Sequence, residues 1–234
     1  MDRRQFGLAS GISVATLLML AHMQARALSL GDLSNNEASQ GLKAALEKAA
    51  LAAVSLLSRP DGFLGNEKVR IPLPGFLQNV ATLFKTLGQG KRVDELVIAM
   101  NRAAEAAVPL AKDLLVSAVK AMTVTDAKKI LAGGDTSATA FFAEKTREPL
   151  GVRFLPVVTQ AIEQVGLAAQ YNSLASKAAG MGLMKKEDAS IQQYVTAKSL
   201  DGLFYIIGDE EKKIRQDPMG TGSALLQKVF GALK

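Results

Sequence analysis

Asn101, Arg102 and Glu105 are the side chains whose types and spacing come nearest to a chemical site. They lie in the stretch Val93 to Ala121, whose polar positions include Asp94, Asn101, Glu105 and Lys112. At helical period, spacings of seven, four and seven keep those four within about 40° of one another. Arg102 flanks the line, and Pro109 follows four residues after Glu105. A proline inside a helix clashes with the carbonyl four residues back and leaves it without its donor. Polar line and freed carbonyl therefore meet at Glu105, where a kink is expected. Two readings of the bend stay open. One is a bent core helix with an ordinary Arg102–Glu105 pair, its freed carbonyl taking water or a side chain. The other is a small polar ligand site made by Asn101, Arg102 and Glu105. A deep pocket beside Arg102 would suit a small anion. Carboxylate acid–base chemistry would instead need Glu105 and a second carboxyl, Asp94 or Asp201, facing one cleft about 5–10 Å apart.

Positioning these residues requires a large helix. Val93, Leu96, Val97, Met100, Ala103, Ala104, Ala107, Val108, Leu110, Ala111, Leu114, Leu115, Ala118 and Val119 fall in one arc of about 200°, wider than a surface helix shows. The stretch carries eight alanines. They favour helix formation and let neighbouring helices approach closely. Residues 93–121 therefore read as a central, Pro-kinked helix that the remaining elements surround.

The chain begins with an expected export signal over Met1–Ala27. Arg3-Arg4-Gln5-Phe6 resembles the twin-arginine motif, a charge-free run follows to Gln24, and Ala25-Arg26-Ala27 has the small-x-small cleavage pattern. An ordinary secretory signal is the alternative. The expected location is the periplasm, reached folded. The apolar run falls short of the roughly 20 strongly apolar residues of a membrane span, so no stable span is expected after cleavage. Cutting after 27 of the 234 residues leaves 207, enough for one domain, 28–234, with one sizeable core.

Cleavage also removes the only histidine, His22, and the chain has no cysteine or tryptophan. Ser-His-Asp and Cys-His nucleophile systems are thereby excluded. So are the usual zinc, copper and haem sites, disulfides, and the histidine-bearing di-iron sites of bundles. No cofactor is expected. Oxygen-only binding of magnesium or calcium remains, but no segment has calcium-loop spacing. Losing Arg3, Arg4, Arg26 and Asp2 takes the formal charge from +6 to +4. That is too mild to imply a nucleic-acid partner.

The rest of the chain reads as helices. Ser34 with Glu37 forms a capping-box pattern that opens a helix to about Leu57. Residues 58–74 are rich in Pro and Gly yet apolar at Phe63, Leu64, Val69, Ile71 and Leu73. Such a loop should fold back over the core, with a short extended piece near Val69–Leu73. A helix is expected over 74–87. Gly88-Gln89-Gly90-Lys91 lacks the rest of the P-loop spacing and reads as a turn. A short helix follows over 123–132, ended by Gly133-Gly134, with Asp135 expected to cap the next. Pro149 and Pro156 should segment that next region. A helix over 167–178, a linker over 180–188, and an amphipathic helix from Ile191 to Ile207 come after. Asp201 in that helix reads as exposed and paired with Lys198. Asp209–Arg215 reads as a solvated helix face, and Ser223–Leu233 as a last amphipathic helix. The fold class is all-α, a single-domain multi-helix bundle.

Several segments together resemble one bacterial family, catalogued as domain of unknown function 4197. They are Leu33-Ser34 with Glu37 and Gly41-Leu42, Pro60-Asp61-Gly62-Phe63-Leu64, and Ile71-Pro72-Leu73-Pro74. Asn101-Arg102-Ala103-Ala104-Glu105-Ala106-Ala107-Val108-Pro109, Thr125-Asp126-Ala127, Asp201-Gly202-Leu203-Phe204 and Lys228-Val229-Phe230-Gly231 continue the match in order. The resemblance implies an exported helical envelope protein and carries over no activity. The expected function is a non-enzymatic binding or scaffold module for a protein partner or small ligand. The alternative is a carboxylate-based hydrolase acting on an envelope glycan.

Overall fold

The computed structural model describes residues 35–75, 90–182 and 190–217, together with 78, 86 and 88. The leader, Ser34, nearly all of the helix expected over 74–87, most of the 180–188 linker, and the helix expected over 223–233 lie outside the described residues.

Seven α-helices are delimited among the described residues: α1 (Asn35–Leu57), α2 (Gly90–Ala107), α3 (Ala111–Ala121), α4 (Val124–Ala132), α5 (Ser137–Glu163), α6 (Gly166–Gly180) and α7 (Ile191–Gln216). A single 3-10 turn, Val108–Leu110, joins α2 to α3. There is no strand among the described residues, and the fold is an all-α bundle. The α5 helix packs on α7, α2 and α3, while α1 closes the bundle against α7, α3 and α4. The kinked helix shares the middle with α7, which is buried around most of its girth from Tyr194 to Gly208.

The kink falls where Pro109 demands it. The helix tightens into the 3-10 turn, which advances about 120° per residue rather than 100°. That extra rotation accompanies one departure from the expected face: Leu110 is exposed, while Val108 and Ala111 on either side are buried. The other residues of the apolar arc are buried or half-buried.

Pro149 and Pro156 do not segment the chain, and α5 runs unbroken through both. Both prolines are exposed, as are Lys145 and Val152, whose carbonyls they leave without helical donors. Val152 is 71% exposed. Carbonyls on that side can be hydrated, so the lost bonds do not break the helix. Thr123 and Asp126 form a reciprocal capping box at the start of α4. Asp135 does not cap α5. Its N-cap is Thr136, which gives no side-chain bond, and the cap comes from α7 as described below.

Candidate functional site

The candidate site begins where α1 ends. Asp61 adopts a left-handed backbone (φ 63°). Gly62 lies so close to α1 that a Cβ there would sit 2.5 Å from the Leu57 carbonyl oxygen. Only a residue without a side chain makes this approach. The turn drives Phe63 wholly into the core and aims two successive amides at α2.

Glu105 receives them. The N–H groups of Phe63 and Leu64 donate to Glu105 Oε1 at 3.0 and 3.1 Å. Arg102 Nη1 donates to Oε2 at 2.6 Å, and Arg102 Nη2 reaches Asp61 Oδ1 at 2.8 Å. One turn earlier, Asn101 pairs with both backbone groups of Ile71. Its Oδ1 accepts from the Ile71 N–H at 2.8 Å, and its Nδ2 donates to the Ile71 carbonyl at 3.0 Å and to Val97 at 2.8 Å. The expected extended piece is therefore present as irregular backbone, and an asparagine side chain replaces the neighbouring strand. Tyr194 Oη adds a bond to the Pro72 carbonyl at 3.1 Å. Asn101 and Glu105 together form a buried clasp on the loop.

This geometry decides what the clasp can do. Glu105 is 5% exposed, and both its oxygens are engaged. It lines none of the three clefts described below, whereas a general acid or base must reach its substrate. Arg102 is shared between two carboxylates, and its bond to Glu105, then that to Asp61, pushes its pKa up. Its charge is already matched, and none of the clefts considered below is lined by it. None of those clefts is the deep pocket beside Arg102 that would suit a small anion.

The other candidates lie apart. Asp94 is exposed on α2. Asp201 is exposed on α7, held by Arg147 at 3.0 Å and Lys198 at 3.5 Å, as its spacing from Lys198 suggests. Neither lines a described cleft with Glu105. The polar line of the kinked helix is thus split: Asn101 and Glu105 go under the loop, while Asp94 and Lys112 face outward. Among the described residues no group of three or more carboxylates could hold a metal ion.

A second clasp was not apparent from the sequence. Glu211, within the segment expected to be a solvated face, is 3% exposed. Its Oε1 accepts from the Ala138 N–H at 3.0 Å, and its Oε2 accepts from the Thr139 N–H at 2.9 Å and Thr139 Oγ1 at 2.8 Å. It caps the N-terminus of α5 from another helix, where a negative charge is favoured. Arg215 donates to the same carboxylate and to the Ile130 carbonyl. The only trace in sequence is the i,i+4 Glu–Arg spacing, which surface pairs share.

The fold and site define an all-helical domain in which two buried glutamates, each with an arginine of its own helix, bind the backbone of a neighbouring segment. Residues 32–231 match the family described as Protein of unknown function (DUF4197), and the chain belongs to that family. No curated protein and no solved structure matches the chain.

Proposed function

We propose that this protein is an exported, non-enzymatic binding module of the cell envelope. The observation that carries the reading is the engagement of Glu105 and Asn101. The polar side chains that looked most like chemistry hold a loop in place, so recognition falls to the outer face of that loop. A carboxylate hydrolase acting on an envelope glycan loses its central residue, because Glu105 faces backbone amides and Arg102 rather than a cleft. The leader pattern at Arg3-Arg4-Gln5-Phe6 supports export. No described helix is long and apolar enough to cross a membrane.

Two experiments test this. Fractionation should find the protein in the periplasm, and a double Arg3→Lys, Arg4→Lys variant should stay in the cytoplasm. Equal export of both would remove the twin-arginine route. Native mass spectrometry of protein gently purified from its own host should show a reproducible adduct or a bound partner chain. A bare mass, together with hydrolysis of isolated envelope glycan, would overturn the binding reading.

A further inference from the structure

We propose that the cleft between residues 68–72 and α7 binds a phosphate group carried on a ring-shaped or apolar body. The inference deepens the binding-module reading and rests on it. The cleft measures about 260 Å³. It is lined by Val69, Pro72 and Gly202 and by the charged side chains of Lys68, Arg70, Lys198 and Asp201.

Charge distinguishes it from two larger clefts among the described residues. The two larger ones, about 390 and 430 Å³, balance their charges: Lys48 and Lys213 against Glu210 and Asp217, and Lys129 and Lys145 against Asp126 and Glu144. Here three lining cations, Lys68, Arg70 and Lys198, meet one lining carboxylate, Asp201. Lys68 pairs with Asp209 at 3.0 Å, and Lys198 and Arg147 share Asp201. Arg70 is exposed and has no ion pair among the described residues. The excess of two positive charges suits a phosphate monoester, which carries about −1.5 to −2 at pH 7, better than a single carboxylate. A guanidinium fork beside two ammonium groups is a donor set that phosphate oxygens accept from well.

The wall supplies the second half of the specificity. Tyr205 is 46% exposed and lines the cleft. Lys68 Nζ sits 5.9 Å from its ring centroid. An aromatic face beside cationic side chains fits a ligand with a ring or apolar body next to its anion. The site is also preformed. The clasp fixes Phe63, Leu64 and Ile71, and Gly202 lets α7 meet the loop, since a Cβ there would lie 2.7 Å from the Phe63 ring. A held loop does not lose conformational freedom again on binding.

The test is calorimetric titration of the full chain with phenyl phosphate, and separately with phosphatidylcholine vesicles with and without phosphatidic acid. Saturable binding with a Kd below about 1 mM is expected. Arg70→Glu and Lys198→Glu should each weaken it about tenfold or more, with unchanged circular dichroism because both side chains are exposed. Tyr205→Ser should weaken phenyl phosphate but not inorganic phosphate. Binding to phosphatidic acid vesicles alone would support the site and identify a lipid headgroup as the source. No binding to either probe overturns the phosphate assignment. Binding that Arg70→Glu and Lys198→Glu leave unchanged overturns the location. Native mass spectrometry separates this from the broader reading. An adduct kept in Arg70→Glu refutes the site alone, whereas a wild-type mass with neither adduct nor partner chain, together with glycan hydrolysis, refutes the binding reading.

Discussion

Glu105 accepts two successive backbone amides and one guanidinium, and these interactions differ in strength. An orphaned buried donor costs about 1–3 kcal/mol, whereas Arg102 is half-exposed and keeps Asp61. The amides therefore dominate. Glu105→Ala should destabilise the protein by about 2–4 kcal/mol, read as a lower urea midpoint at unchanged slope. Glu105→Gln, which retains one carbonyl acceptor, should cost about half as much. Hydrogen exchange gives the local readout. The Phe63 and Leu64 amides should exchange slowly in wild type despite their loop setting, and quickly in Glu105→Ala. Equal protection in both would mean that Glu105 does not hold the loop. The residue types at 101 and 105 were legible in the sequence as unusual. Their role was not, because a carboxylate's partners here are main-chain amides some forty residues away, and amides carry no sequence signature.

At the scale of elements, α5 and α4 allow separate predictions. Pro149 and Pro156 face outward, so replacing either restores a helical donor without disturbing the core. Pro149→Ala should stabilise by about 2 kcal/mol, the helix penalty of proline less its benefit through the unfolded chain. For a chain of this size that raises Tm by roughly 4–8 °C. A lower Tm would show that the proline is needed where it stands. The α4 cap gives a pH dependence. The Thr123 hydroxyl and then its amide hold Asp126 below its ordinary 3.8. A depressed carboxylate contributes stability above its unfolded value and loses it as pH falls through the folded one. Unfolding free energy should therefore drop on acidification below about pH 4, with a shallower slope in Asp126→Asn. An unchanged slope would remove the cap from the acid response. The short α4 helix was legible in the sequence although its capping box was not read, whereas the two prolines were expected to segment a helix that they leave whole. Thr-x-x-Asp is self-contained, whereas a proline's effect depends on which side of the helix it faces.

For the molecule as a whole, the central question is how the loop after α1 is set on α7. Gly202 permits it: its missing Cβ would collide with the Phe63 ring and lie 3.2 Å from Val69 Cβ. Gly202→Ala should cost about 1–3 kcal/mol through overpacking. Phe63→Leu, which withdraws the ring edge, should recover part of that loss, giving a non-additive double-mutant cycle. Strict additivity would mean that the two positions do not meet. The same long-range arrangement pairs Glu211 with the start of α5, so the two buried glutamates tie together segments distant in the chain.

The sequence alone determined that this is an all-helical protein, that a kink falls at Pro109, that an apolar loop folds inward and that the family match spans residues 32–231. These follow from periodicity, from proline's missing donor, from apolar area that must leave water, and from residue strings read in order. Tertiary structure alone decided that Asn101 and Glu105 bind backbone, that Glu211 is buried, that α5 passes through two prolines and that Lys68, Arg70 and Lys198 share a cleft. Each depends on which residues distant in the chain become neighbours. A carboxylate on a helix has the same local signature whether it faces water, a catalytic partner or a neighbour's amides.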